Sequence, residues 1–475
     1  MVARGASLVT RIPFTPRPWQ PMMMEHIAEH RRCALFAKMG SGKTSATLIG
    51  LQALDLLDEG PALIIAPKRV AKNTWPAEVK RWNETAHLRV EPIVGNLTER
   101  FQAIARPAQF YTTNYEQLPW LVRHFGRNWP YRTIIADEST KLKGHRLRNG
   151  GARTDALAKV AHRYENRFIE LTGTPSPNGL KDLWGQLWFI DRGKRLGTSF
   201  DAFSQRWFRP DPSGYGLEPL RYAQEEIQNA IRDIALTVDP ADWIKLDPVI
   251  ETDIVVPLPE AARGVYEKME REMFLELERS GALHEIEAVN AAVRTNKCLQ
   301  IASGALYLGD ASDAGPREWA DLHDAKLEAL ESVVNEAGGM PVLVAYQFKS
   351  DLARILKAFP QARYFDDSRE TEDAWNAGRI PILVAHPDSA GHGSNLQHGG
   401  NILVDFSSGW NLESDDQIIE RLGPMRQYQA GYDRPVYRYR IIAEGTVDAM
   451  VKERRTSKRR VQDILLENMK RKGLV

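Results

Sequence analysis

The chain has 475 residues, 43% hydrophobic and 26% charged, a globular composition too long for one ordinary core, so two or three domains are expected. Its 63 Lys and Arg against 62 Asp and Glu leave a formal net charge of +1, which excludes any argument from global basicity: a polyanion would have to be met by local patches. The two cysteines, Cys33 and Cys298, lie far apart in apolar surroundings, against a disulfide frame or a metal site, and no stretch approaches roughly 18 consecutive apolar residues, against a membrane span. With an N-terminal apolar run too short for a signal peptide, the expected compartment is the reducing cytoplasm.

In chain order, RIPFTPRPWQPMMMEHIAEH opens with an extended, proline-held lead-in and a helix start, with Gln20 at the turn between them. A side-chain amide there can donate to and accept from one edge of an adenine. Next, the strand-like CALFAKM runs into AKMGSGKT (37 to 44) and the helical pattern TSATLIGLQALDLL. Gly40, Ser41 and Gly42 form a turn whose backbone N–H groups can point inward. Lys43 adds a charge, and Thr44 offers a hydroxyl to a magnesium ion on nucleotide phosphates. The first glycine of the usual phosphate-loop pattern is replaced by Ala37.

Strand-like runs follow at PALIIAP (61 to 67), QFYTTN (109 to 114), TIIADEST (133 to 140) and RFIELT (167 to 172), separated by helical patterns. That alternation predicts a parallel sheet with helices on both faces, whose ligands collect at the strands' carboxyl ends. Asp137 and Glu138 end one strand, where an aspartate can hold Mg²⁺ through water and a glutamate can take a proton from an attacking water. Thr172 and Thr174, on a tight turn after another, have hydroxyls placed to relay between nucleotide and a second site.

Residues 205 to 222 carry too many breakers for a regular element, and 258 to about 303 reads as helical with a break near Gly281. Alternation returns from about 320, with strand-like PVLVAY, PILVAH and NILVDF, giving a second α/β lobe without a glycine-lysine loop. The predicted organisation is an ATP-binding lobe over 1–245, a helical connecting region over 246–319 and a second lobe over 320–475. After PILVAH, Gly391, Gly393 and Asn395 allow close approach to a phosphate chain. Gln417 and Arg421, one helical turn apart, are expected to share a face. From Ala449 onward nine Lys and Arg face three Asp and Glu, on a predicted amphipathic terminal helix.

GSGKT, DEST and LTGTP in this order and spacing resemble motifs I, II and III of superfamily 2 helicases, and PRPWQ resembles their adenine-reading glutamine motif. APKRVAKNTW and YTTNYEQL resemble the nucleic-acid-contacting motifs of the same lobe, which implicates Lys68, Arg69, Thr112 and Thr113. The loop with Gly393 and Asn395 looks like motif V, and the segment from Gln417 like motif VI. That motif's second arginine would fall on Pro424, leaving Arg426 as the nearest substitute. DESTKLKG, with LWGQLWFIDRGKRLGTSFDAF after motif III, leans to the Swi/Snf-type branch and its compact bacteriophage-type members.

The resemblance implies two RecA-like lobes acting as an ATP-dependent DNA helicase or double-stranded DNA translocase. ATP and Mg²⁺ would lie between Lys43, Thr44, Asp137 and Glu138 on one side and Arg421 with Arg426 on the other, DNA (duplex or forked rather than RNA) would be the track, and the chain would act as a monomer away from membranes. The same motifs also accommodate an ATP-gated nucleic-acid binding or remodelling module, or an RNA-dependent ATPase.

Overall fold

The computed structural model describes residues 11–53, 60–148, 150–163, 166–210, 217–280, 295–308, 318–390, 394–453 and 455–457. Two compact units emerge, the first ending at Lys245 and the second spanning Leu246–Ser457.

The first unit is built on seven strands: β1 (Arg32–Ala37), β2 (Ala62–Ala66), β3 (Val90–Pro92), β4 (Phe110–Asn114), β5 (Thr133–Asp137), β6 (Arg167–Thr172) and β7 (Ala235–Val238). They lie in the order β3-β4-β2-β5-β6-β1-β7, every pairing parallel. In β2, β4 and β5 every residue is buried, although successive side chains point to opposite faces, so both faces of the sheet are covered. Continuous apolar runs such as ALIIA, and the IIA at the centre of TIIAD, are what a doubly covered parallel strand requires.

Two helices bear on the glycine turn. Helix α1 (Gln20–Glu29) starts with Pro21 in its first turn, where a missing N–H costs no hydrogen bond. Helix α2 (Lys43–Ala53) begins directly after the turn.

The main sheet of the second unit has six strands, β8 (Ile250–Val256), β9 (Val342–Ala345), β10 (Ala362–Tyr364), β11 (Ile382–Ala385), β12 (Ile402–Asp405) and β13 (Tyr437–Ala443), ordered β8-β13-β12-β9-β11-β10 and again all parallel, beside a short antiparallel pair, Ala305–Tyr307 with Trp319–Asp321. Both units are thus parallel α/β sheets of the RecA-like type.

The expected helical connector over 246–319 is corrected by this topology. Its first part is β8, paired along its length with β13. The strand escaped the sequence reading because it lies at the sheet edge with most of its side chains in solvent, so it has no apolar run. Helix Glu260–Ser280 follows, as the periodicity predicts. The breaker-rich stretch after 205 also holds a small antiparallel pair, Phe208–Pro210 with Leu217–Pro219. The basic terminal helix falls almost wholly outside the described residues, which end at 457.

Arg438, the second residue of β13 and fully buried, shows how a charged residue survives in that sheet. Its guanidinium meets Asp405 at 2.6 Å and also Asp415, while Arg455 reaches Asp415 at 2.7 Å. Removing one member of such a cluster leaves buried charge uncompensated, at a cost of about 3–5 kcal/mol. Arg438→Met is therefore expected to lower the stability of the second unit by that order in denaturant unfolding. Adding Asp405→Asn should recover part of the loss, and a single variant as stable as the parent would contradict the assignment.

Candidate functional site

The first sheet's parallel strands end at one edge, where the glycine loop, the Lys68–Arg69 segment, the Asp137–Glu138 pair and the Thr172–Thr174 turn lie at or just after the ends of β1, β2, β5 and β6. After β1, Gly40 and Gly42 adopt φ of 76° and 78°, in the left-handed region that side-chain-bearing residues avoid. At Gly42 a Cβ would also stand 2.5 Å from the Gln20 amide nitrogen. Both the backbone and the space around it therefore call for glycine at 42. Lys43 opens α2 and folds its ammonium back to the Ala37 carbonyl at 2.6 Å, and Thr44 lies half-buried beside it in the first helical turn.

The turn is braced from the proline-rich lead-in. The Arg17 guanidinium donates to Gly40 O at 2.7 Å and the Trp19 indole to Ser41 O at 2.7 Å. Gln20 donates to Gly42 O and to Ser45 Oγ, both at 3.1 Å, and accepts from the Arg17 N–H at 2.8 Å. Gln20 is thus buried with both ends of its amide engaged, a brace for the loop and not the free edge expected of an adenine reader. Nothing in the sequence marks Arg17 and Trp19 beyond their closeness to Gln20 within PRPWQ.

Asp137 ends β5 next to this turn. One carboxylate oxygen accepts from the Trp75 indole at 2.9 Å and the other from the Glu138 N–H at 3.1 Å. Burial raises its pKa, against the Trp75 hydrogen bond and the Lys43 charge, which favour the ionised form. Glu138 is a non-glycine residue at φ 57° and ψ 56°. Such a backbone costs on the order of 1–3 kcal/mol and turns the side chain off the strand's alternation. The Tyr115 hydroxyl, donating to Asp137 O at 2.9 Å, helps hold it there.

Thr172 pairs with Phe36 across β6 and β1, so the following turn meets the phosphate loop: a Cβ at Gly173 would touch Ala37 O and Met39 N, each at 3.4 Å. Thr172 Oγ1 accepts from the Thr174 N–H at 3.1 Å, closing the turn, and both residues are buried. Gln186, in helix α3 (Asp182–Asp191), joins this turn to the acidic strand end. Its amide donates to Pro175 O at 2.7 Å and accepts from Ser139 Oγ at 3.0 Å. In the sequence LWGQLW carries only a family resemblance, and the bridging role of Gln186 is visible only in the fold.

The expected nucleic-acid contacts divide. Lys68 is exposed and Arg69 half-buried, at the helical start after β2. Thr112 and Thr113 are fully buried, their hydroxyls donating to Ala71 O at 2.6 Å and Ile93 O at 3.1 Å. They hold neighbouring segments in place and do not present side chains to a nucleic acid, a correction that follows from their central position in a doubly covered strand.

In the second unit, helix α4 (Leu412–Ile419) ends before Arg421, which sits in a tighter turn closed by its N–H to Ile418 O at 3.1 Å. Gln417 is buried on α4, so the expected common face is bent at its end. Gly423 then caps helix α5 (Pro424–Gln429), with the proline in its first turn. Arg421 reaches Ser394 O at 3.4 Å and Arg426 reaches Asn395 Oδ1 at 3.3 Å, so both arginines converge on one loop. Gly393 of that loop lies outside the described residues.

The loop in the first unit fits a nucleotide's phosphates. It offers a glycine-only backbone, an ammonium, and the Ser41 hydroxyl, buried with no hydrogen-bond partner among the described residues. Thr44 and Asp137 have oxygen donors suited to Mg²⁺. Among the described residues no three His, Cys, Asp or Glu side chains converge as a metal cage.

Residues 20–302 match the family described as SNF2-related domain. "Putative protein p41" of Acyrthosiphon pisum secondary endosymbiont phage 1 is 52% identical over 466 residues, covering 97% of this chain and 99% of that protein. The Mus musculus "SWI/SNF-related matrix-associated actin-dependent regulator of chromatin subfamily A member 1" is 27% identical over 459 residues, 90% of this chain but 41% of its own length, so this chain spans about two fifths of that relative. A solved structure described as "Sulfolobus solfataricus SWI2/SNF2 ATPase core in complex with dsDNA" aligns over 97% of this chain and 94% of its own at 21% identity, with a TM-score of 0.44. With the family matched over more than half its length and a phage relative sharing half its residues, the chain belongs to the SNF2-related family, the Swi/Snf-type branch of superfamily 2 ATPases.

Proposed function

We propose that this chain is a DNA-dependent ATPase that hydrolyses ATP to ADP and phosphate and uses the cycle to move along duplex DNA. The observation that carries the reading is the convergence in one unit of the Gly40–Gly42 turn, Lys43, the Asp137–Glu138 strand end and the Gly173 turn packed on the loop. A regulator of chromatin among the relatives makes DNA the favoured track.

In this reading Lys43 and the loop N–H groups hold the outer phosphates, and Glu138 accepts the proton of the attacking water. Mg²⁺, held by Thr44 and Asp137, would neutralise charge developing on those phosphates. Arg421 and Arg426, which converge on one loop of the second unit, are the arginines proposed to act on developing phosphoryl charge. Lys68 and Arg69 meet the DNA backbone as charge-assisted donors, which orient the track without reading its sequence. Gln20 keeps its bracing role, and an adenine contact through it would require exchange of its present partners.

Three outcomes test this. Lys43→Ala is expected to abolish tight nucleotide binding, while Glu138→Gln keeps binding and lowers turnover by about 10²–10⁴; unchanged turnover in the latter removes it as base. Arg421→Ala and Arg426→Ala should each slow single-turnover hydrolysis, by about 10³–10⁵-fold where an arginine acts as a finger, and a normal rate in Arg426→Ala alone would show that Arg426 does not replace the arginine missing at Pro424. Finally, ATPase rates measured side by side should rise with duplex or forked DNA; a rise with RNA only would point instead to an RNA-dependent enzyme.

A further inference from the structure

Trp75 is buried to 0% exposure, in the core of the first unit, yet its indole N–H is directed at a carboxylate, Asp137, at 2.9 Å. The chain that delivers it begins at the exposed Lys68 and the half-buried Arg69 after β2, and runs through a π-helical turn, Val70–Thr74, into helix Trp75–Arg81.

The π turn has a geometric consequence. In an uninterrupted α-helix, residues seven apart share a face, so Lys68 and Trp75 would point the same way. Here the Trp75 N–H bonds Val70 O, five residues back. The extra residue in the turn turns the two side chains apart, leaving Lys68 in solvent and carrying the indole inward. Such bulges recur at functional sites because they re-aim side chains at the expense of regular hydrogen bonding.

The turn is also fixed on its inner side. The Thr112 hydroxyl donates to Ala71 O at 2.6 Å, and the Ala71 N–H donates to Pro67 O at 2.9 Å. Since β2 pairs directly with β5, the segment leaving β2 passes over the strand end that carries Asp137. A basic, solvent-facing surface and a buried carboxylate are thereby joined by one short, well-held piece of backbone and a single hydrogen bond.

We propose that Trp75 is a positioning residue that links occupation of the Lys68–Arg69–Lys72 surface by nucleic-acid phosphates to the orientation of the Asp137 carboxylate. The inference rests on the reading of Asp137 as a magnesium-holding group and of that surface as a nucleic-acid contact. An anionic backbone drawn onto the N-terminal end of the π turn shifts the indole, and the indole sets which lone pairs of Asp137 remain for a hydrated cation. Trp75 itself touches neither nucleotide nor DNA; it acts through Asp137.

The test compares Trp75→Phe, which keeps an aromatic ring without the N–H, with the parent chain. Expected are an unchanged affinity for duplex DNA, a requirement for about 10-fold more Mg²⁺ to bind a fluorescent ATP analogue, as loss of a partner behind a metal ligand commonly causes, and a DNA stimulation of hydrolysis about 10-fold smaller. A folded variant, judged by its melting profile, with unchanged magnesium dependence and unchanged stimulation overturns the proposal. Should the substitution unfold the unit, the parent chain labelled with ¹⁵N-tryptophan decides. The resonance of an indole whose N–H is held by Asp137 should move both when duplex DNA is added alone and when Mg²⁺ and nucleotide are added; a full set of indole resonances indifferent to duplex DNA overturns the link. Absence of DNA stimulation in the parent would count against the DNA reading itself, and the magnesium titration without DNA would still decide whether Trp75 positions Asp137.

Discussion

The first unit depends on a backbone turn with left-handed glycines at 40 and 42, and on the side chains that keep it in shape. A loop of inward N–H groups has no apolar core of its own and collapses or wanders unless its outward carbonyls are satisfied. Arg17, Trp19 and Gln20 supply that, donating to the carbonyls of Gly40, Ser41 and Gly42 in turn. The proline-rich lead-in is therefore part of the candidate phosphate loop's construction. Its stiffness lowers the entropy lost when three donors are held in register against three consecutive carbonyls.

Around that turn the site is assembled by strand order. Placing β6 between β5 and β1 brings the acidic strand end, the threonine turn and the glycine loop side by side, and Gln186 ties the first two together. Strain at Glu138 is sustained because Tyr115, Trp75 and the buried strand over-determine its neighbourhood. The second unit follows the same logic with different chemistry: there, two arginines on either side of a helix break meet one loop, while a buried cluster around Arg438 anchors α4 through Asp415.

Much of this was legible in the chain because parallel strands buried on both faces leave uninterrupted apolar runs, and because a glycine-lysine turn has few other uses. What was not legible has equally physical reasons. Edge strand β8 alternates too weakly to register, and β13 places Arg438 and Arg440 where an apolar run would be expected, their charges met by partners remote in sequence. Thr112 and Thr113 carry the right residue type at a motif position, yet their hydroxyls are spent on internal carbonyls, which only three-dimensional neighbours reveal. Gln20 likewise has the chemistry of a base reader, and the fold uses it for bracing. The indole of Trp75 has the look of ordinary core in the chain, and only the fold sets its N–H on Asp137.

The central claim is that ATP hydrolysis by this chain produces motion along duplex DNA. Displacement of a short third strand from a triplex placed downstream on a long duplex measures that motion directly, without requiring the duplex to open. The account predicts displacement that needs ATP and Mg²⁺ and grows slower as the duplex between loading site and triplex is lengthened. Robust DNA-stimulated hydrolysis with no displacement at any length would contradict it.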